Sequence, residues 1–238
     1  MSASIHNHPG RRTGGTLVAA VLTVLVSLMP ATARSADFAQ QQQLVDKAKM
    51  TLEGFAADGG LKGSIKQLGE DAKGLFIVPQ FMRGAFMFGG AGGSGVLIVR
   101  DERTGKWSDP VFYNTGSPSF GLQVGADVSE IVMVVRTQKG LEGFYTNDFK
   151  LGANVGVAVG PVGAGTSAKG IAADIVAYAK KKGAFAGIAL DGSMVTVSND
   201  NNKAYYGEDV RPTDIIVKKE VGNPKSIDLR EAAEKLLK

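Results

Sequence analysis

Hydrophobic positions along this chain change period twice, from helix-like to strand-like and back. Residues 37–57, DFAQQQQLVDKAKMTLEGFAA, set Phe38, Val45, Leu52 and Phe55 near helical spacing with Gln, Lys and Asp between them, which predicts an amphipathic helix. Gly59 and Gly60 stop that pattern, and a shorter helix is expected over Lys62–Asp71. From Leu75 the apolar runs become short. LFIVPQF is followed by a glycine-rich run, then VLIVR (Val96–Arg100), a DERTGK turn, and a strand from Trp107 through Val111-Phe112-Tyr113. Glu130–Thr137 is a near-continuous apolar strand, while Phe120–Ala126 and Leu151–Gly160 alternate glycine with larger residues. Asp174–Lys180 and Gly187–Val197 read as paired strands, and Asp228–Lys238 returns to helical spacing behind a cap at Ser226 or Asp228. Short strands separated by turn residues, between terminal helices, predict an α+β fold. Its sheet is mainly antiparallel and curved, barrel- or sandwich-like, with N-terminal and C-terminal helices.

Glycine refines that picture. Of 32 glycines, Gly121, Gly125, Gly152 and Gly156 fall inside strand patterns, where glycine marks bulges, sharp bends or close approach of backbone. A strongly curved sheet needs such positions.

The first 33 residues read differently. Arg11 and Arg12 precede an apolar run of 14 residues, Thr16–Met29, and Pro30 is followed by Ala31-Thr32-Ala33. Charged region, apolar core and A-x-A order make a secretory signal. The run falls short of the roughly 20 residues that span a bilayer. Cleavage is expected near Ala33, with Ser35 as the alternative, giving an exported, periplasmic or secreted product. Residues 37–238 then form the domain, with a core at about 44–207 and a helical extension at 208–238. Cleavage removes two arginines and no acid from a chain of net charge +4, so nothing in the charge balance points to nucleic acid.

The chain has no Cys, and its two His, His6 and His8, lie in the leader. Without them the mature domain has no Ser-His-Asp or Cys-His nucleophile and none of the usual zinc or copper ligand sets. No cofactor is expected. Lysine-based chemistry, or carboxylate chemistry through Asp127, Glu130, Asp174 or Asp191, remains as an enzymatic option, and surface or turn roles fit those carboxylates better. Gly90–Gly95 matches G-x-G-x-x-G, but a strand follows it where a dinucleotide site needs a helix. Asn199–Asn202 lacks the Gly and Glu of a calcium loop and reads as a turn. Lys180-Lys181-Lys182-Gly183, the densest cationic cluster, reads as a hairpin turn or as a contact for anionic headgroups.

Several motifs then occur in order: AKGLFIVP (Ala72–Pro79), GGAGGSGVLIVR (Gly89–Arg100), WSDPVFY (Trp107–Tyr113), GLQVGAD (Gly121–Asp127), VAVGPVGAG (Val157–Gly165), AYAKKKGAFAGIALDGS (Ala177–Ser193) and YYG (Tyr205–Gly207). This arrangement, over roughly Leu44–Gly207, resembles the SYLF domain family in its exported bacterial branch. The resemblance implies a non-catalytic domain that binds lipid, with phosphoinositide binding and actin bundling in eukaryotic members. Here the 37–57 helix is not strongly basic, so Lys180, Lys181 and Lys182, with Lys169, are the candidate lipid contacts. A phospholipid or membrane surface is the expected partner, and actin is not expected to meet an exported chain. The alternative is a structural or partner-binding envelope protein with no lipid ligand.

Overall fold

A computed structural model describes residues 30–69, 71–86, 88–119, 125–161, 170–185 and 187–238. The leader before Pro30 and the candidate contact Lys169 lie outside these residues. The first helix, α1, spans Pro30–Ala57 and so begins inside the segment read as the end of the leader. It ends at Ala57, where it was expected to, and the glycines that follow open the next helix. Asp58 caps α2 (Gly59–Lys66), accepting from Gly60 N and Leu61 N at 3.1 Å each.

The strands are β1 (Gly74–Phe86), β2 (Phe88–Val99), β3 (Val111–Ser119), β4 (Gly125–Val135), β5 (Asp148–Lys150), β6 (Val157–Val159), β7 (Ile175–Lys181), β8 (Ala184–Phe185) and β9 (Met194–Val197). Helix α3 (Gln138–Tyr145) follows β4, and α4 (Asn199–Tyr206) follows β9. A π-helical turn at Asp214–Lys218 and a 3-10 turn at Pro224–Ser226 lead to α5 (Ile227–Leu237). Asn199–Asn202, expected as a turn, is thus the start of a helix. Strand order is β5-β9-β3-β2-β1-β4-β7-β6, with β8 beside β7, and every pair is antiparallel except β6–β7. Two expectations change here. Asp174–Lys180 and Gly187–Val197 supply β7 and β9, but these do not pair: β7 lies on β4 and β9 on β3. Trp107 makes only an isolated bridge to Arg100, and its strand starts at Val111.

The sheet must curl because its two edge strands are neighbours in sequence. Seven inter-strand spacings of about 4.8 Å would put the edges of a flat sheet about 34 Å apart. The chain from Lys150 to Val157 reaches at most about 25 Å. It is folded tighter still by the Gly152 N to Val155 O hydrogen bond of 2.8 Å. The result is a half-barrel buried on both faces. Phe76, Val78, Met133, Val135 and Ile175 face inward, where Leu141 and Phe144 of α3 fill the hollow. Leu75, Ile77, Val132, Val134 and Tyr178 face outward, beneath α1, α2 and α5. Asp37–Lys238 forms one compact unit.

A kink in β1 shapes the open end of the sheet. The register of β1 slips by one residue against both neighbours around Pro79 and Gln80. Proline has no N–H for a ladder, so a bulge suits it. The bulge presses β1 against β2 where β2 carries glycine: a Cβ at Gly95 would lie 2.5 Å from Ile77 O and 2.9 Å from Phe76 Cε2. Gly95→Ala should therefore destabilise the fold by about 2–3 kcal/mol through overpacking. Gly84→Ala, which meets nothing within 4 Å, should stay within about 0.5 kcal/mol. Urea unfolding of the two variants checks the contrast, and equal effects would refute the close-approach reading.

Candidate functional site

Helix α1 crosses the outer face like a belt. Lys47 Nζ reaches Gln80 Oε1 on β1 (3.1 Å), Thr51 Oγ1 donates to Glu130 Oε1 on β4 (3.1 Å), and Lys180 Nζ of β7 donates to Gly54 O (3.0 Å). Three to four helical residues advance about 4.5–6 Å, close to one strand spacing, so the helix runs nearly across the strands. Beyond it, β1, β2 and β4 project past the covered part of the sheet. Strand alternation puts Met82 on the outer face, opposite the buried Phe81. Met82 is 61% exposed, and its cross-strand partner Val128 is 49% exposed. Their outer-face neighbours on β1 and β2 are Gly84, Gly90 and Gly92, two cross-strand levels of glycine and methionine with no charge. Sequence reading missed this surface. Methionine and valine at these positions look like ordinary strand residues until the bulge and the belt show which of them stay uncovered.

The lysine cluster sits at the same end of the sheet. Lys181 pairs in register with Ser129, so the turn after it lies beside Val128. The three lysines have different partners. Lys180 is tied to Gly54 O near the C-terminal end of α1 and lies 5.7 Å from the Phe55 ring centroid, a position the helix dipole favours for a cation. Lys181 is paired with Asp127 at 2.7 Å. Lys182 is exposed, and among the described residues it has no partner. Its φ of +51° with Gly183 at +78° is the left-handed pair of a tight hairpin turn. Among the described residues the cluster therefore offers one free cation, not three.

The four carboxylates are not brought together. Asp127 and Glu130 lie on opposite faces of β4, engaged by Lys181 and Thr51. The Asp191 carboxylate packs on Gly152, where φ is +81° and a Cβ would come within 2.5 Å of Oδ1. Asp174 sits at the far end of β4, accepting from Thr137 Oγ1 (2.6 Å) and Gly156 N (2.8 Å), with Lys139 Nζ at 3.6 Å. It joins the start of α3 to the β6–β7 edge. Partial burial would raise its carboxyl pKa, but the Thr137 and Gly156 hydrogen bonds and Lys139 outweigh this and hold it below the usual 3.8. Its contribution is therefore complete above that value and is lost as pH falls through the lower folded-state value. Acid unfolding of Asp174→Asn should show a smaller loss of stability below pH 4 than the parent. Identical pH profiles would show that this carboxylate is not a source of acid sensitivity.

An opening of about 940 Å³ lies at the other end of the half-barrel between the Val99–Ser108 turn, α3 and the Ile215–Gly222 segment. Leu141, Tyr145 and Ile216 give it an apolar wall. Several of its rim charges are committed: Lys219 to Asp101 (2.7 Å), Lys73 to Glu102, and Asp109 to Ser226 Oγ (2.6 Å) and Asn223 N (3.1 Å). Among the described residues no group of His, Cys, Asp or Glu is arranged to hold a metal ion, and no helix is long and apolar enough to cross a membrane.

Sequence comparison decides the family. The profile described as "Ysc84: Las17-binding protein actin regulator" matches residues 116–236, half of the chain. The chain belongs to the Ysc84, or SYLF, family. It is similar to LAS seventeen-binding protein 3 of Saccharomyces cerevisiae, 33% identical over 173 residues, which is 68% of this chain and 37% of the yeast protein. It is also similar to human SH3 domain-containing YSC84-like protein 1, 34% identical over 149 residues, 61% of this chain and 43% of the human protein. The chain thus spans well under half the length of these relatives, and neither name is that of an enzyme.

Proposed function

We propose that this protein is a non-catalytic, exported envelope protein, periplasmic or secreted, that binds the surface of a lipid membrane. The observation that carries the reading is the uncharged outer face at the end of the sheet, Met82 and Val128 among glycines, with the Lys182 turn on the strand next to Val128. Apolar side chains that enter the headgroup boundary, with a cation level with the phosphates, are the elements of interfacial binding. On this reading Lys182 makes the direct contact, while Lys180 and Lys181 shape the turn through their own partners. The Ysc84 family match supports a binding role. Actin regulation and Las17 binding are properties named for that family's described members, and an exported chain meets neither.

Two measurements test this. Flotation of the full-chain product with phosphatidylcholine vesicles containing phosphatidylglycerol, at low salt, should carry the protein to the top of the gradient. Protein left at the bottom with every vesicle would end the lipid reading and leave the same face to a protein partner, sought by cross-linking and mass spectrometry. N-terminal sequencing after expression in a secreting bacterial host should read from Arg34, or from Ala36 for cleavage after Ser35. A product that keeps Met1 would sink the export part.

A further inference from the structure

Next to the apolar face, a groove of about 530 Å³ runs between α1 and the glycine-rich part of β2. Gln40, Gln43 and Lys47 line it from the helix, and Gln80, Ser94 and Asn114 from the sheet. Gly92 and Gly93 leave its floor without side chains. Part of the wall is braced internally: Gln41 Nε2 donates to Asn201 Oδ1 (2.7 Å) and Ser94 Oγ to Asn114 Oδ1 (2.8 Å). Gln41 itself is only 5% exposed, and its Oε1 has no hydrogen-bond partner among the described residues. Buried oxygens without partners are uncommon enough to need a reason.

The lining chemistry selects a ligand class. Amides and hydroxyls both donate and accept, so this wall offers mixed hydrogen bonding with one ammonium and no carboxylate or guanidinium. An apolar occupant would leave these groups unsatisfied. A multiply charged anion would meet a single cation, Lys47, already directed at Gln80. A ring of neutral hydroxyls, each also donor and acceptor, matches the wall. We infer that this groove binds a neutral polyhydroxylated group, a sugar or a sugar-type lipid headgroup. Met82 lines the groove as well as the apolar face, so a glycolipid headgroup would sit in the groove while its chains enter the bilayer that the face contacts. That lipid placement rests on the function proposed above; the groove's preference for a polyol does not.

Two probes separate the sources. The full-chain product is floated with phosphatidylcholine–phosphatidylglycerol vesicles with and without monogalactosyl diacylglycerol, and saturation-transfer NMR is run with free galactose. Gln43→Ala/Gln80→Ala removes two exposed amides without opening the core. The glycolipid should strengthen vesicle binding about tenfold, the double variant should lose that gain, and its binding to glycolipid-free vesicles should not change. Saturation transfer to galactose that the variant abolishes, without a glycolipid gain, also upholds the groove and names free sugar as the source. If all vesicle binding fails while galactose transfer persists, the lipid-surface reading falls and the groove stands. No response to either probe, or a response the variant leaves unchanged, overturns the inference.

Discussion

Replacing Phe144 with Ala should lower the unfolding free energy by about 3–5 kcal/mol, the range for emptying a large aromatic site in a packed core. Phe144 is fully buried and stands edge-on to three rings, with centroids at 5.3 Å from Phe76, 5.3 Å from Tyr113 and 4.8 Å from Phe149. Those rings come from β1, β3 and β5, so one side chain of α3 holds the hollow of the half-barrel on three sides. Its backbone carbonyl also accepts from Tyr113 Oη at 2.6 Å, and burial raises the Tyr113 pKa well above 10.0, so the phenol stays a donor through the neutral range. The cavity cannot collapse easily, because β1 and β3 are fixed by ladders on both sides and β5 by its ladder to β9. Urea unfolding at neutral pH measures the effect. A loss below about 1 kcal/mol would mean that α3 does not fill the inner core.

Met82→Glu/Val128→Glu should weaken vesicle binding at least a hundredfold and leave stability within about 0.5 kcal/mol. The two effects separate because both side chains are largely exposed in the free protein and carry little folding energy, whereas each would lose about 1.5–3 kcal/mol of apolar transfer on a membrane. Two such losses correspond to about 3–6 kcal/mol, and every 1.4 kcal/mol is tenfold. The introduced carboxylates also repel an anionic surface. Lys182→Ala should cost less, about 1 kcal/mol or fivefold, and the loss should vanish as salt rises. Vesicle binding that survives the double glutamate variant would move the contact away from this face.

The lysine run shows what the sequence could tell about the site. Lys180-Lys181-Lys182-Gly183 was legible as a cationic turn, and it is one. That Lys180 belongs to the α1 belt and Lys181 to Asp127 depends on partners 126 and 54 residues away in the chain, and local pattern carries no information at that range. Met82 was illegible for another reason. Its face depends on the Pro79–Gln80 bulge, since one extra residue reverses which side of the sheet every later side chain of β1 takes. The amide groove needed the same information, because Gln40, Gln43 and Gln80 are brought together only by a helix lying across the strands.

By itself the sequence determined the class of fold, the terminal helices, the family and the lack of imidazole and thiol chemistry in residues 37–238. These follow from hydrophobic period, glycine placement, composition and ordered motifs, all local or additive properties of the chain. Tertiary structure alone decided which strands pair, which lysine is free, and which apolar and amide groups meet at the open end of the sheet. Those depend on register and on the path of α1, which are set by packing between distant segments.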